Sequence, residues 1–86
     1  MYVIMIYDVN TKRVAKVLRI ARKYLRWVQK SVLEGMITEK NYKELREKIR
    51  KIISEEDSVY WYILNPEFVP YRKVIGDFKP NVSNFV

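Results

Sequence analysis

Seven apolar or aromatic residues in a row, MYVIMIY, open the chain and stop at Asp8. The run mixes β-branched and aromatic types without alternating polar positions, so it reads as a strand over residues 2–8 with both faces covered. It is too short for a membrane span and lacks the basic leader of a signal peptide, so no membrane segment is expected. A chain of 86 residues has room for one core, which must form around this strand. A domain of this size hides only ~60–65% of its unfolded surface and usually needs a further source of stability. Cysteine and histidine are both absent, which removes disulfides and nearly every structural zinc site. A partner subunit remains, and a composition 49% hydrophobic and 14% aromatic supplies surface for it. A homodimer is therefore expected, and the lack of cysteine suits a cytoplasmic protein.

After Asp8, either Asn10 or Thr11 can cap a helix running to about Tyr24. Val14, Val17, Leu18, Ala21 and Leu25 repeat at helical spacing and make one apolar stripe. Lys12, Lys16, Arg19, Lys23 and Arg26 step by four and three residues and fall on the opposite side. Residues 26–37 contain β-formers without a helical repeat, predicting two short strands that reverse near Lys30 and Ser31. Gly35 is read there as a bulge or a point of close approach. Thr38 is placed to cap a second helix to about Ile53, with Tyr42, Leu45, Ile49 and Ile52 inward. Glu39–Lys43, Glu44–Lys48 and Glu47–Lys51 form favourably ordered i,i+4 pairs on its outer face. The acidic turn Glu55, Glu56, Asp57 precedes a β-rich run, SVYWYIL.

The resulting order, βαββαβ, predicts an α+β domain of ferredoxin-like arrangement over residues 1–70. Residues 71–86 form a tail with a short strand around residues 73–75, set off by Pro66, Pro70 and Pro80. Its apolar members Val74, Ile75, Phe78, Phe85 and Val86 suggest that it crosses to the partner and covers a sheet edge there.

The net charge of +7 is unevenly placed. The first thirty residues carry eight basic side chains against the single acid Asp8, while the rest of the chain is balanced. Such concentration is the footprint of a phosphate-binding surface, although a solubilising basic face has the same composition. Cations spaced three and four apart lie ~5–6 Å from one another on a helix and can follow a phosphate backbone. Without histidine or cysteine, catalytic triads, zinc hydrolysis and thiol chemistry are excluded. Asp8, at the end of the first strand, remains as a candidate carboxylate. One Asp is a poor magnesium site, but a two-fold axis near the first strand would bring two copies together for metal-assisted phosphodiester cleavage. Alternatively, Asp8 only terminates the strand and helps cap the helix, and spacing alone favours that reading. Tyr2, Tyr7, Tyr60, Tyr62, Trp27 and Trp61 have the chemistry to stack on bases, but aromatic residues in strands are more often core.

Four stretches together resemble the CRISPR-associated Cas-two family: MYVIMIYDV at the start, WVQKSVLEG from Trp27 to Gly35, Asp57-Ser58-Val59, and Gly76 in the tail. The resemblance spans essentially the whole chain. It implies a ferredoxin-like homodimer with an exchanged last strand. It also implies a role in acquiring CRISPR spacers, holding double-stranded prespacer DNA and bridging the Cas-one integrase. Many members are magnesium-dependent endoribonucleases, and some act on DNA. Carried over, Asp8 becomes the catalytic residue and Mg2+ ligand, with Tyr7 beside it, Arg13 as a phosphate contact and Ser31 lining the same cleft. Arg13 joins the helical row read from spacing, so that Lys12, Arg13, Lys16, Arg19, Lys23 and Arg26 make up the expected nucleic-acid-binding set. Two positions depart from the family pattern: Leu33 stands where an aromatic is usual, and Trp27 where many members have a basic residue. A DNA scaffold and a metal-dependent endonuclease are thus the two leading functions. A stand-alone, toxin-like RNA interferase of the same fold is the alternative.

Overall fold

The computed structural model describes residues 1–68. The elements are β1 (Tyr2–Asp8), α1 (Thr11–Ala21), β2 (Arg26–Gln29), β3 (Val32–Met36), α2 (Glu39–Arg50) and β4 (Ser58–Leu64), followed by a 3-10 turn at Pro66–Phe68. The four strands make one sheet in the order β2-β3-β1-β4, with every pairing antiparallel. This is the expected ferredoxin-like α+β arrangement. The tail expected over residues 71–86 lies outside the described residues.

β1 occupies a central position because it is the most apolar strand and can be covered along its length. Val3, Met5 and Tyr7 point to the helical side and are buried with Val17, Ala21, Leu25, Leu33, Leu45 and Ile49. Both helices begin on a side-chain cap. Asn10 Oδ1 accepts the Lys12 N–H at 3.0 Å, and Thr38 Oγ1 accepts the Asn41 N–H at 3.1 Å. These caps satisfy amides that the first helical turn leaves open.

The helix ends come earlier than the apolar repeat suggests. Beyond Ala21 the amides of Lys23 and Tyr24 turn to carbonyls three residues back, Ile20 and Ala21, so the last turn tightens and the chain leaves the helix. Leu25 then enters the core, and Arg26 starts β2. α2 ends in the same way: the Ile52 amide reaches Ile49, leaving Ile52 and Ile53 half-buried against the core. The sheet irregularity also differs from expectation. It falls between Trp27 and Gln29 in β2, while Gly35 pairs regularly with Val3. A Cβ on Gly35 would meet its nearest neighbour, Leu25 Cδ2, at 3.6 Å, an ordinary contact.

The opposite side of β1 is less covered than the sequence suggests. Ile4 and Ile6 are half-buried, and their partners Tyr62 and Tyr60 on β4 stay about half exposed, as does Met36 on β3. The helices use only one face of the sheet, so the second face presents apolar surface.

Two substitutions separate core packing from backbone constraint. Leu45→Ala, at a fully buried α2 position, is expected to cost about 2–5 kcal/mol. Gly35→Ala is expected to be neutral or to stabilise by up to about 1 kcal/mol, because Gly35 has ordinary backbone angles and space for a methyl group. Chemical denaturation of both variants reads the difference, and a destabilised Gly35→Ala would mean that the site is sterically closed.

Candidate nucleic-acid interface

The end of β1 is positioned by a carboxylate 49 residues further along the chain. Asp57 precedes β4, and its neighbour Ser58 pairs with Asp8. Its side chain is 1% exposed. Asp57 Oδ2 accepts from Arg13 Nε at 2.6 Å and from the Ser54 N–H at 2.9 Å. Oδ1 accepts from the Asn10 N–H at 2.9 Å and from Arg13 Nη2 at 3.1 Å. Arg13 Nη2 also reaches Glu56 at 2.6 Å. The Arg13 hydrogen bonds hold the Asp57 carboxyl far below the usual carboxylate range, helped by the amides of Ser54 and Asn10 against the cost of desolvation. The same contact with Asp57, followed by that with Glu56, raises Arg13.

Arg13 therefore stands apart from the cations it was grouped with. Its guanidinium is committed to two acids, so it ties α1 to the turn before β4 instead of presenting a free charge. Lys12, Lys16 and Arg19 lie on α1, exposed and without an acidic partner among the described residues. Lys23 is exposed in the turn after α1. Arg26 is not on the helix: it belongs to β2 and approaches buried Glu34 at 3.5 Å. The continuous five-cation helical row thus breaks at its C-terminal end, because α1 stops at Ala21.

Beside Asp8 lies a cleft of about 480 Å3. Tyr7, Asp8 and Ser31, singled out from different parts of the sequence, all line it, together with Lys30 and Thr11. Val9, Val14, Leu18 and Trp27 supply its apolar wall. The Lys30 carbonyl anchors this region by accepting the Tyr7 hydroxyl at 2.8 Å and Trp27 Nε1 at 3.0 Å. The Tyr7 amide donates to the Ser31 carbonyl at 3.0 Å, so the reversal between β2 and β3 is pinned to β1. Burial pushes the Tyr7 phenol above its ordinary value, which suits an orienting hydroxyl and not a base. Asp8 itself is exposed at the cleft mouth. Lys30 and Asp57 fall within the stretches that carry the family resemblance, but the sequence assigns neither a contact; both act through partners more than twenty residues away.

Among the described residues, no three acidic, histidine or cysteine side chains gather to hold a metal ion. Asp8 is the acidic side chain that lines the cleft, so the described residues bring a single carboxylate to it. No helix of the described residues is long and apolar enough to cross a membrane.

An antiparallel four-stranded sheet in this order, with two helices on one face and a basic first helix, defines a small ferredoxin-like domain. Residues 1–68 match the family model for CRISPR associated protein Cas2, and the chain belongs to that family. It is 52% identical over 77 residues to the CRISPR-associated endoribonuclease Cas2 of Thermotoga maritima, covering 88% of each chain. With the protein of the same name from Methanocaldococcus jannaschii it shares 41% identity, covering all of this chain and 76% of the other. Among solved structures it resembles Streptococcus pyogenes Cas2 at pH 6.5, with 31% identity and a TM-score of 0.75 over 83% of this chain and 94% of that one.

The Asp57 cluster gives a pH-dependent expectation. The folded-state pKa is depressed, so the stabilisation is complete above the ordinary carboxylate value of about 4. It is lost as pH falls through that value and on through the lower folded pKa. Asp57→Asn should therefore melt well below the parent protein at pH 7, and the gap should narrow below about pH 4. A gap in melting temperature that is constant between pH 7 and pH 3 would show that the charge is not what matters.

Proposed function

We propose that this protein works in the acquisition of CRISPR spacers, as a cytoplasmic homodimer that holds a prespacer DNA duplex and bridges the Cas1 integrase. The observation carrying this reading is that Lys12, Lys16 and Arg19 stand exposed on α1, without acidic partners among the described residues, in a member of the Cas2 family. The half-exposed apolar sheet face supports self-association: Ile4, Ile6, Tyr60 and Tyr62 lie together on it, and burying such surface is the main driving force for permanent interfaces. Asp8 follows Ile4 and Ile6 on the same side of β1, so a two-fold axis through that face would bring the two copies of Asp8 towards each other.

The names of the relatives add a nuclease to this scaffold. They are called CRISPR-associated endoribonucleases, so RNA is a second ligand of the proposed surface. Since no three metal-ligating side chains gather among the described residues, a magnesium ion would be held by both copies of Asp8 together with phosphate oxygens, in keeping with how Mg2+ is usually held. When bound, it would supply charge neutralisation at the scissile phosphodiester. The chain's own part is to hold the backbone with α1, fix the reversal at Lys30 and Ser31, and present the Asp8 carboxylate.

Two measurements test the two roles separately. Changing Lys16, Arg19 and Lys23 together to Ala should reduce the logarithmic salt dependence of duplex binding by about 2–3, at ~0.9 per phosphate contact. Unchanged affinity and slope would remove the helical surface from the proposal. Asp8→Asn should abolish nucleic-acid cleavage in magnesium while leaving duplex affinity within about twofold. Cleavage that survives the substitution would mean that Asp8 is not catalytic.

A further inference from the structure

We infer that the cleft beside Asp8 is a subsite for one unpaired nucleobase, which enters against the Trp27 indole while its phosphodiester stays at the Asp8 mouth. This rests on the nucleic-acid reading above and adds which part of the polymer the cleft receives.

Trp27 is the central observation. Its cross-strand partner Leu33 is fully buried, yet Trp27 remains 46% exposed on the edge strand β2. The register shift beside it, between Trp27 and Gln29, is a break in pairing of the kind that re-aims a side chain. The indole is held from two sides: Nε1 donates to the Lys30 carbonyl at 3.0 Å, and the Arg22 guanidinium lies 5.6 Å from the ring centroid. An exposed aromatic ring fixed in this way needs little further ordering when a flat ligand arrives.

The surroundings favour a base over another apolar guest. Val14 and Leu18 continue the apolar wall, and Thr11 and Ser31 line the same cleft, bringing hydroxyl groups of the kind a base edge pairs with. Lys30 lines the same opening, and the Arg22 guanidinium stands over the indole beside it. Cations around an apolar slot complement a phosphate attached to a flat ring; they do not complement a purely apolar peptide side chain. A volume of about 480 Å3 lies within the usual range for a small ligand. In a duplex both faces of each base are covered by its neighbours, so only an unpaired or extruded base can offer its face. The slot thereby distinguishes single-stranded nucleic acid from the duplex that the α1 cations bind through its backbone.

The test compares a fluorescein-labelled 12-nucleotide oligouridine, its deoxythymidine counterpart and a 20-base-pair duplex, by anisotropy at fixed salt. Trp27→Leu should weaken binding of both single strands about tenfold and leave the duplex unchanged. Trp27→Phe, which keeps an aromatic face, should restore most of the loss. In a Trp61→Phe background, the remaining indole emission should be quenched by the single strands and not by the duplex. Equal affinity of Trp27→Leu and the parent protein for single strands, or an equal loss on single strands and duplex, overturns the base subsite while salt-dependent binding keeps the nucleic-acid reading. If the parent protein binds none of the three, both fall together.

Discussion

The positions of Asp8 and of the start of α1 depend on the carboxylate of Asp57. With a side chain almost wholly out of water, it must have its acceptor sites filled, since an unpaired buried charge is strongly unfavourable. Asn10, Arg13 and Ser54 fill them, which fixes the start of α1, the first turn of that helix and the turn before β4 around one point. The next residue, Ser58, pairs with Asp8, so the height of Asp8 relative to α1 is set by the same cluster. Arg13 is removed from the pool of free cations for the same reason. The positive charge that can meet a ligand begins at Lys12 and continues through Lys16 and Arg19.

The order of elements and the helix faces are legible in the sequence because they follow from local periodicity. Val14, Val17, Leu18 and Ala21 announce the buried side of α1, and Thr38 announces the start of α2. Tyr7, Asp8 and Ser31, grouped through the family resemblance and not through periodicity, all line one cleft. What could not be read was decided by contacts distant in sequence. The apolar stripe runs on through Leu25 whether or not the backbone is still helical, so periodicity extended α1 and put Arg26 on its cationic side. The tightened turn after Ala21 sends Arg26 to the sheet and towards Glu34 instead. The role of Asp57 was equally hidden, because a carboxylate in an acidic turn looks solvated until Arg13, 44 residues away, is brought beside it.

The i,i+4 pattern on α2 misled in the same way. Glu44 is engaged by the Tyr24 hydroxyl, which also receives Lys48, and Glu47 is engaged by Arg50. The hydrogen bond and charge of Arg50 hold Glu47 below its ordinary pKa, and the hydrogen bond with Tyr24 raises Lys48. Lys43 and Lys51 are thus left without a close acid among the described residues, although exposed ion pairs would have added little stability in any case.

That redistribution changes how the charge of the whole domain should be viewed. α1 and α2 pack against each other on the same side of the sheet, so unneutralised cations on both contribute to one field, and fields from several charges sum where individual pairs do not matter. The opposite side is governed by different physics. Ile4, Ile6, Tyr60 and Tyr62 have no comparable charge among them, and Glu34 is buried there with Arg26 in reach. A second copy covering that face would desolvate the Arg26–Glu34 pair further, making Arg26 an interface residue in the proposed dimer. The two proposed partners then never compete for surface: a like chain meets the apolar face, and a polyanion meets the helical one. Asp8, at the end of the strand that separates them, is the position where both can be reached at once.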